Sequence, residues 1–116
     1  MASRAGSRIT DSPEFDRVYR QGAAYRGKLF SVHAFAKEHG SPRLGLSVSK
    51  KVGKAVVRNK VRRRMKEIFH ARTGELEGMG SGLDFVVSAR PASSDASFRD
   101  LEREFSVALK KLEGRV

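Results

Sequence analysis

Apolar and polar positions follow two rhythms along this chain, one with a period near 3.6 and one with a period of two. Residues 12–22, SPEFDRVYRQG, keep the helical rhythm: Phe15, Val18 and Tyr19 fall at i, i+3 and i+4 and share a face. Asp11 or Ser12 can cap this helix, Pro13 suits its first turn, Glu14 suits its positive end, and Gly22 suits its stop. An aromatic pair at this spacing predicts packing into the core. Residues 23–26 read as a short strand. Residues 28–37, KLFSVHAFAK, read as a stronger one, with Phe30, Val32 and Ala34 on one face and Leu29, His33 and Phe35 on the other. Both faces are expected to be covered in part. HGSPR (39–43) predicts a hairpin turn into a returning strand, RLGLSVS (43–49). That strand sets Leu44, Leu46 and Val48 against Gly45, Ser47 and Ser49, so one face is apolar and the other small and polar.

Residues 54–72 return to the helical rhythm. Val57, Val61, Met65, Ile68 and Phe69 form a continuous stripe, and Arg58, Asn59, Arg62, Arg63 and Lys66 fill the opposite half. Arg64 projects at the edge of the stripe and must snorkel or find a partner. Thr73-Gly74 predicts the helix end, and residues 75–82, with three glycines, predict a loop. LDFVVSAR (83–90) reads as a buried strand stopped by Pro91. Ser97 and Asp100 resemble a capping box, after which Phe98, Leu101, Phe105, Ala108, Leu109 and Leu112 trace a final amphipathic helix. The order is helix, two or three strands, helix, strand, helix: an α+β layer. Its 49–83 segment is a strand–helix–strand crossover that can join parallel neighbours.

Charge sharpens this picture. Residues 50–66, KKVGKAVVRNKVRRRMK, hold nine of the 24 lysines and arginines and no acid, and no carboxylate lies between Glu38 and Glu67. The net charge of +11 is therefore local and sits on the central helix. Adjacent cations without interleaved acids repel one another, and phosphates relieve that repulsion. A polyanion, nucleic acid first among them, is the expected partner; charge alone does not separate DNA from RNA.

Other chemistry is missing. The chain has no cysteine, and its three histidines, His33, His39 and His70, are widely spaced without paired acids, so no metal site is expected. There is no nucleophile elbow, phosphate-binding glycine loop or acid cluster suited to two-metal hydrolysis, and no catalytic residue is assigned. No apolar run approaches a membrane span, and the start lacks the apolar segment of a signal peptide, which fits a cytoplasmic protein. Residues 1–8 read as a flexible basic arm and 9–116 as one compact domain.

The run LGLSVSKKVGKAVVRNKVRRRMKE, residues 44–67, resembles the signature of the bacterial ribonuclease P protein subunit. That family has a strand ending in Ser-Lys-Lys, then Gly, then Ala-Val and an Arg-Asn-Arg block. Arg58, Asn59 and Lys60, then Arg62 and Arg63, then Lys66 and Glu67 stand in the same order and spacing. Phe15 and Tyr19 match its leading helix, and Asp84 to Arg90 its later strand, so residues 8–112 are covered. The resemblance implies a compact α+β domain of order α-β-β-β-α-β-α with a left-handed βαβ crossover, against the general rule of handedness. It implies an endoribonuclease subunit that acts only within a ribonucleoprotein. The RNA, with Mg²⁺ held mainly by that RNA, removes the 5′ leader of precursor tRNA; the protein alone is inactive and monomeric when free.

The same resemblance assigns positions. Lys54, Arg58, Asn59, Lys60, Arg62, Arg63 and Lys66 would meet the catalytic RNA. Phe15, Tyr19, Phe30, His33, Ser47, Ser49, Lys50, Lys51 and Arg90 would line a cleft for the single-stranded leader, where bases stack on aromatic rings. Three positions depart from the pattern. Lys60 replaces the commoner arginine and loses its fork, His33 stands where many members carry tyrosine, and Arg64 where many are apolar. His33 would add a pH dependence to leader affinity. Other classes compete: a ribosomal-type RNA-binding protein, a nuclease acting alone through acids such as Asp84 and Glu67, and a DNA-binding helix.

Overall fold

The strand formed last in sequence lies inside the sheet. In the computed structural model, which describes residues 12–37, 40–78 and 82–115, the strands are β1 (Ala23–Arg26), β2 (Phe30–Ala36), β3 (Arg43–Ser47) and β4 (Leu83–Ala89), in spatial order β1-β2-β4-β3. β4 runs antiparallel to β2 and parallel to β3. The hairpin expected at residues 39–43 is therefore not one. β2 and β3 are separated by β4, and the crossover after β3 supplies the parallel neighbour, as its length allows. β4 earns the centre by composition: Leu83, Phe85, Val86 and Val87 are all buried, as a strand covered on both faces requires.

The crossover contains the basic helix α2 (Ala55–Ala71) and a short helix α3 (Thr73–Gly78), where the glycines had predicted only loop. Leu76 explains the difference, since its burial against the core fixes that turn. A 3₁₀ turn (Pro91–Asp95) then leads to α4 (Phe98–Leu112), whose capping box is formed as expected: Asp100 N donates to Ser97 Oγ at 3.1 Å and Ser97 N to the Asp100 carboxylate at 3.4 Å.

Alternation sorts the side chains into two cores. Phe30, Val32, Ala34, Leu44, Phe85 and Val87 face α2 and α4, meeting Val61, Met65, Ile68, Phe69, Leu101 and Phe105. On the opposite face α1 (Ser12–Gln21) lays Val18 on Val86, flanked by Phe15 and Phe35. Gly22 ends α1 because nothing larger fits; a Cβ there would stand 2.4 Å from the Ala34 carbonyl oxygen. Arg64 finds its partner, donating to the Ala96 carbonyl at 3.1 Å. The arm expected at residues 1–8, His39 and the side chains of Asp11, Ser12 and Glu14 lie outside the described residues.

Candidate nucleic-acid interface

The basic face of α2 begins at a turn that only glycine supports. Val52 N and Gly53 N donate to the Ser49 and Lys50 carbonyls (3.1 and 3.2 Å). Gly53 has φ +154°, and a Cβ on it would press Val57 at 3.1 Å. Lys54 is then the N-cap, with no side-chain capping bond and no acid in the first turn. The positive end of the helix dipole is thus surrounded by Lys50, Lys51 and Lys54, all exposed.

Buried Val61, Met65, Ile68 and Phe69 hold one side of α2, so the opposite side is presented to solvent. Asn59, Arg62, Arg63, Lys66, Glu67 and His70 wall a shallow concavity of about 410 Å³ there. Asn59 Oδ1 accepts from Arg62 at 3.4 Å. Lys60 is exposed, and Arg58 is half-buried with its Nε enclosed and unbonded, a donor left over in the isolated protein. All seven positions expected to meet RNA therefore share this helix and its cap.

The second expected set is only partly brought together. Tyr19 reaches from α1 across β2 and shares a 2.5 Å hydrogen bond between its hydroxyl and that of Ser88. Its ring stands over His33, edge to face, with centroids 4.7 Å apart. Phe15 is half-buried beside it, so of the α1 trio expected in the core only Val18 is fully enclosed. Ser47, Ser49, Lys50, Lys51 and Arg90 are exposed at the β3 and β4 ends. Phe30 is the exception and a correction: it is 1% exposed and belongs to the other core. Its parity with Val32 and Ala34 already placed it there.

His33 is buried, and its Nδ1 has no hydrogen-bond partner. Burial first, and the Arg26 charge second, push its pKa below the ordinary 6.5. Three residues on this face were not anticipated. Ser31 and Ser88 are register partners, Ser88 is also the partner of Ser47, and Arg26 is the partner of Ser31. The row Arg26–Ser31–Ser88–Ser47 hence crosses all four strands on the α1 face. Only the position of β4 between β2 and β3 reveals it.

At the other end of that face Asp84 is buried and carries two cations. Arg43 donates to both its oxygens (2.9 and 2.8 Å), and Lys37 Nζ lies 2.8 Å away. A carboxylate so engaged is not a free catalytic acid. A larger concavity, about 600 Å³ between Tyr25, Leu29, Glu104 and Val107, contains none of the expected residues. Its Glu104 Oε2 is occupied by the amides of Leu29 and Phe30 (3.0 and 3.2 Å).

Comparison with known proteins agrees along nearly the whole chain. The family model described as Ribonuclease P matches residues 4–113. A ribonuclease P protein component of Clostridium botulinum strain 657 is 41% identical over 105 residues, covering 90% of this chain and 93% of its relative. One from Clostridioides difficile is 36% identical, covering 84% of each chain. The solved Staphylococcus aureus RNase P protein superposes with a TM-score of 0.78 at 31% identity, covering 92% of this chain and 97% of the other. The Thermotoga maritima RNase P protein gives 0.72 at 27% identity, covering 95% and 97%. The chain belongs to the ribonuclease P protein family.

Proposed function

We propose that this protein binds a ribonuclease P RNA through the outer face of α2 and the single-stranded 5′ leader of precursor tRNA across the α1 face of the sheet. The single observation that carries the first half is the uncapped, acid-free start of α2, continuous with Arg58, Arg62 and Arg63. Phosphates satisfy its free amides, supply the anion the dipole favours and relieve the repulsion among its cations. Tyr19 standing above a floor of serines supports the second half, because an aromatic edge next to small polar residues admits a stacked base and a close backbone.

In this reading the phosphodiester chemistry belongs to the RNA, and the protein contributes grip and position. Among the described residues no three His, Asp or Glu side chains converge where a cation could sit, and Asp84 is taken by Arg43 and Lys37. The donors present do not fit Mg²⁺, which is left to RNA phosphates. The same reading takes the isolated protein to be inactive and monomeric, and its place to be the cytoplasm. Among the described residues no helix is long and apolar enough to cross a membrane.

The test is cleavage of a precursor tRNA by a bacterial ribonuclease P RNA at low Mg²⁺, with and without this protein, beside a protein-only control. Stimulation that needs both the RNA and the leader is expected. Arg58→Ala with Arg62→Ala should weaken RNA affinity roughly 100-fold, as expected for two charge-assisted phosphate contacts. Tight RNA binding with no stimulation would favour a ribosomal-type role instead, and cleavage by the protein alone would sink the reading.

A further inference from the structure

The row Arg26–Ser31–Ser88–Ser47 has a direction as well as a composition. Neighbouring strands lie about 4.8 Å apart, so four strands span about 15 Å. Three hydroxyls stand in line across β2, β4 and β3, and an exposed arginine closes the β1 end. The other end opens onto Ser49, Lys50 and Lys51, and so onto the start of α2. The adjacent rows on this face, containing His33, Val86, Phe35 and Asp84, are covered by α1 or closed by the Asp84 ion pairs. Tyr19 touches the serine row at Ser88, while Arg26 and Ser47 are exposed and Ser31 is half-buried.

We infer that this row is the track of the leader's sugar–phosphate backbone, running from the basic helix across the sheet to Arg26. The inference rests on the leader-binding reading above and adds to it Arg26, Ser31 and Ser88 and a path. The chemistry follows from the side chains. A serine hydroxyl donates once and accepts twice, so Ser31 and Ser47 can each accept from a ribose 2′-hydroxyl and donate to a phosphate or sugar oxygen. Ser88 shares its hydroxyl with Tyr19 and keeps capacity for two more partners, which ties the aromatic wall to the floor. Among the described residues the Arg26 guanidinium has no ion pair or hydrogen bond, and it is set to take a phosphate. A track of this composition reads ribose and phosphate and distinguishes an RNA leader from a DNA one.

The experiment measures holoenzyme affinity for a precursor tRNA in three forms: leader intact, leader trimmed to one nucleotide, and leader of the same sequence built from deoxyribonucleotides. The wild-type holoenzyme should bind the deoxyribose leader roughly threefold to tenfold more weakly than the ribose leader, the loss of one or two hydrogen bonds. Ser31→Ala, Ser47→Ala and Ser88→Ala together, which remove every hydroxyl of the row, should bind both equally. Arg26→Gln should weaken binding of the intact leader alone and make its log–log salt dependence shallower by about 0.7, the value for one phosphate on a single strand. Unchanged affinity of every variant for the trimmed substrate shows that the fold and the RNA contact survive. A wild type that is indifferent to the sugar, or Arg26→Gln with an unaltered salt slope, overturns the track while leaving leader binding standing. Equal wild-type affinity for intact and trimmed leaders overturns leader binding itself, and the track with it.

Discussion

His33 sits beneath Tyr19 with a buried, unbonded Nδ1 and with Arg26 close enough to oppose a second positive charge. Its folded pKa is lowered, so just below pH 6.5 the unfolded chain takes a proton that the folded chain refuses. Stability contributed at this residue is intact above about 6.5 and is lost as pH falls through the lower folded value. We expect chemical denaturation at pH 7.5 and 5.5 to show a fall in midpoint that His33→Phe makes smaller; an equal fall in both proteins would refute this assignment. The pH dependence expected of leader affinity accordingly belongs on the acid side, because His33 is uncharged near neutrality. Tyrosine at this position would bring a hydroxyl where histidine brings a proton-sensitive ring, and Tyr19, hydrogen-bonded to Ser88, already supplies one hydroxyl here.

Helix α2 carries a conflict between its own stability and its use. A helix start normally recruits Ser, Thr, Asp or Asn, and α4 does so with Ser97. α2 instead begins at Lys54, whose only cap contribution is a carbonyl accepting from Arg58 N at 2.9 Å. Lys54→Asp should therefore stabilise the isolated protein by about 1 kcal/mol and weaken its affinity for the RNA. Sulfate should raise the melting temperature of the wild type more than that of the variant, since it replaces the missing anion. Calorimetry with and without sulfate checks both; a variant no more stable in dilute buffer would show that other groups satisfy this terminus. Elements of this kind were legible in the sequence because periodicity, caps and charge are local. The α2 stripe, the Ser97–Asp100 box and the Arg64 misfit all read correctly. α3 did not, because one buried leucine outweighed the glycines around it.

At the scale of the molecule, what stayed hidden was pairing. Nothing local in residues 30–36 or 43–47 says that residues 83–89 will come between them, so a hairpin was the economical expectation. The serine row was invisible for the same reason: each serine is unremarkable until three strands are laid side by side. The placement of β4 also sets an order in time. On the ribosome β2 and β3 emerge early with no partner for their facing edges, and the cationic α2 follows them. The facing edges of β2 and β3 stay unpaired until residues 83–89 have been made. A chain ending at residue 82 should show no cooperative unfolding, whereas one ending at residue 112 should unfold cooperatively, as urea titration followed by circular dichroism will tell. Until β4 docks, the acid-free, cation-rich stretch 50–66 has an unfinished sheet beneath it, so its attraction for polyanions is available before its fold is complete.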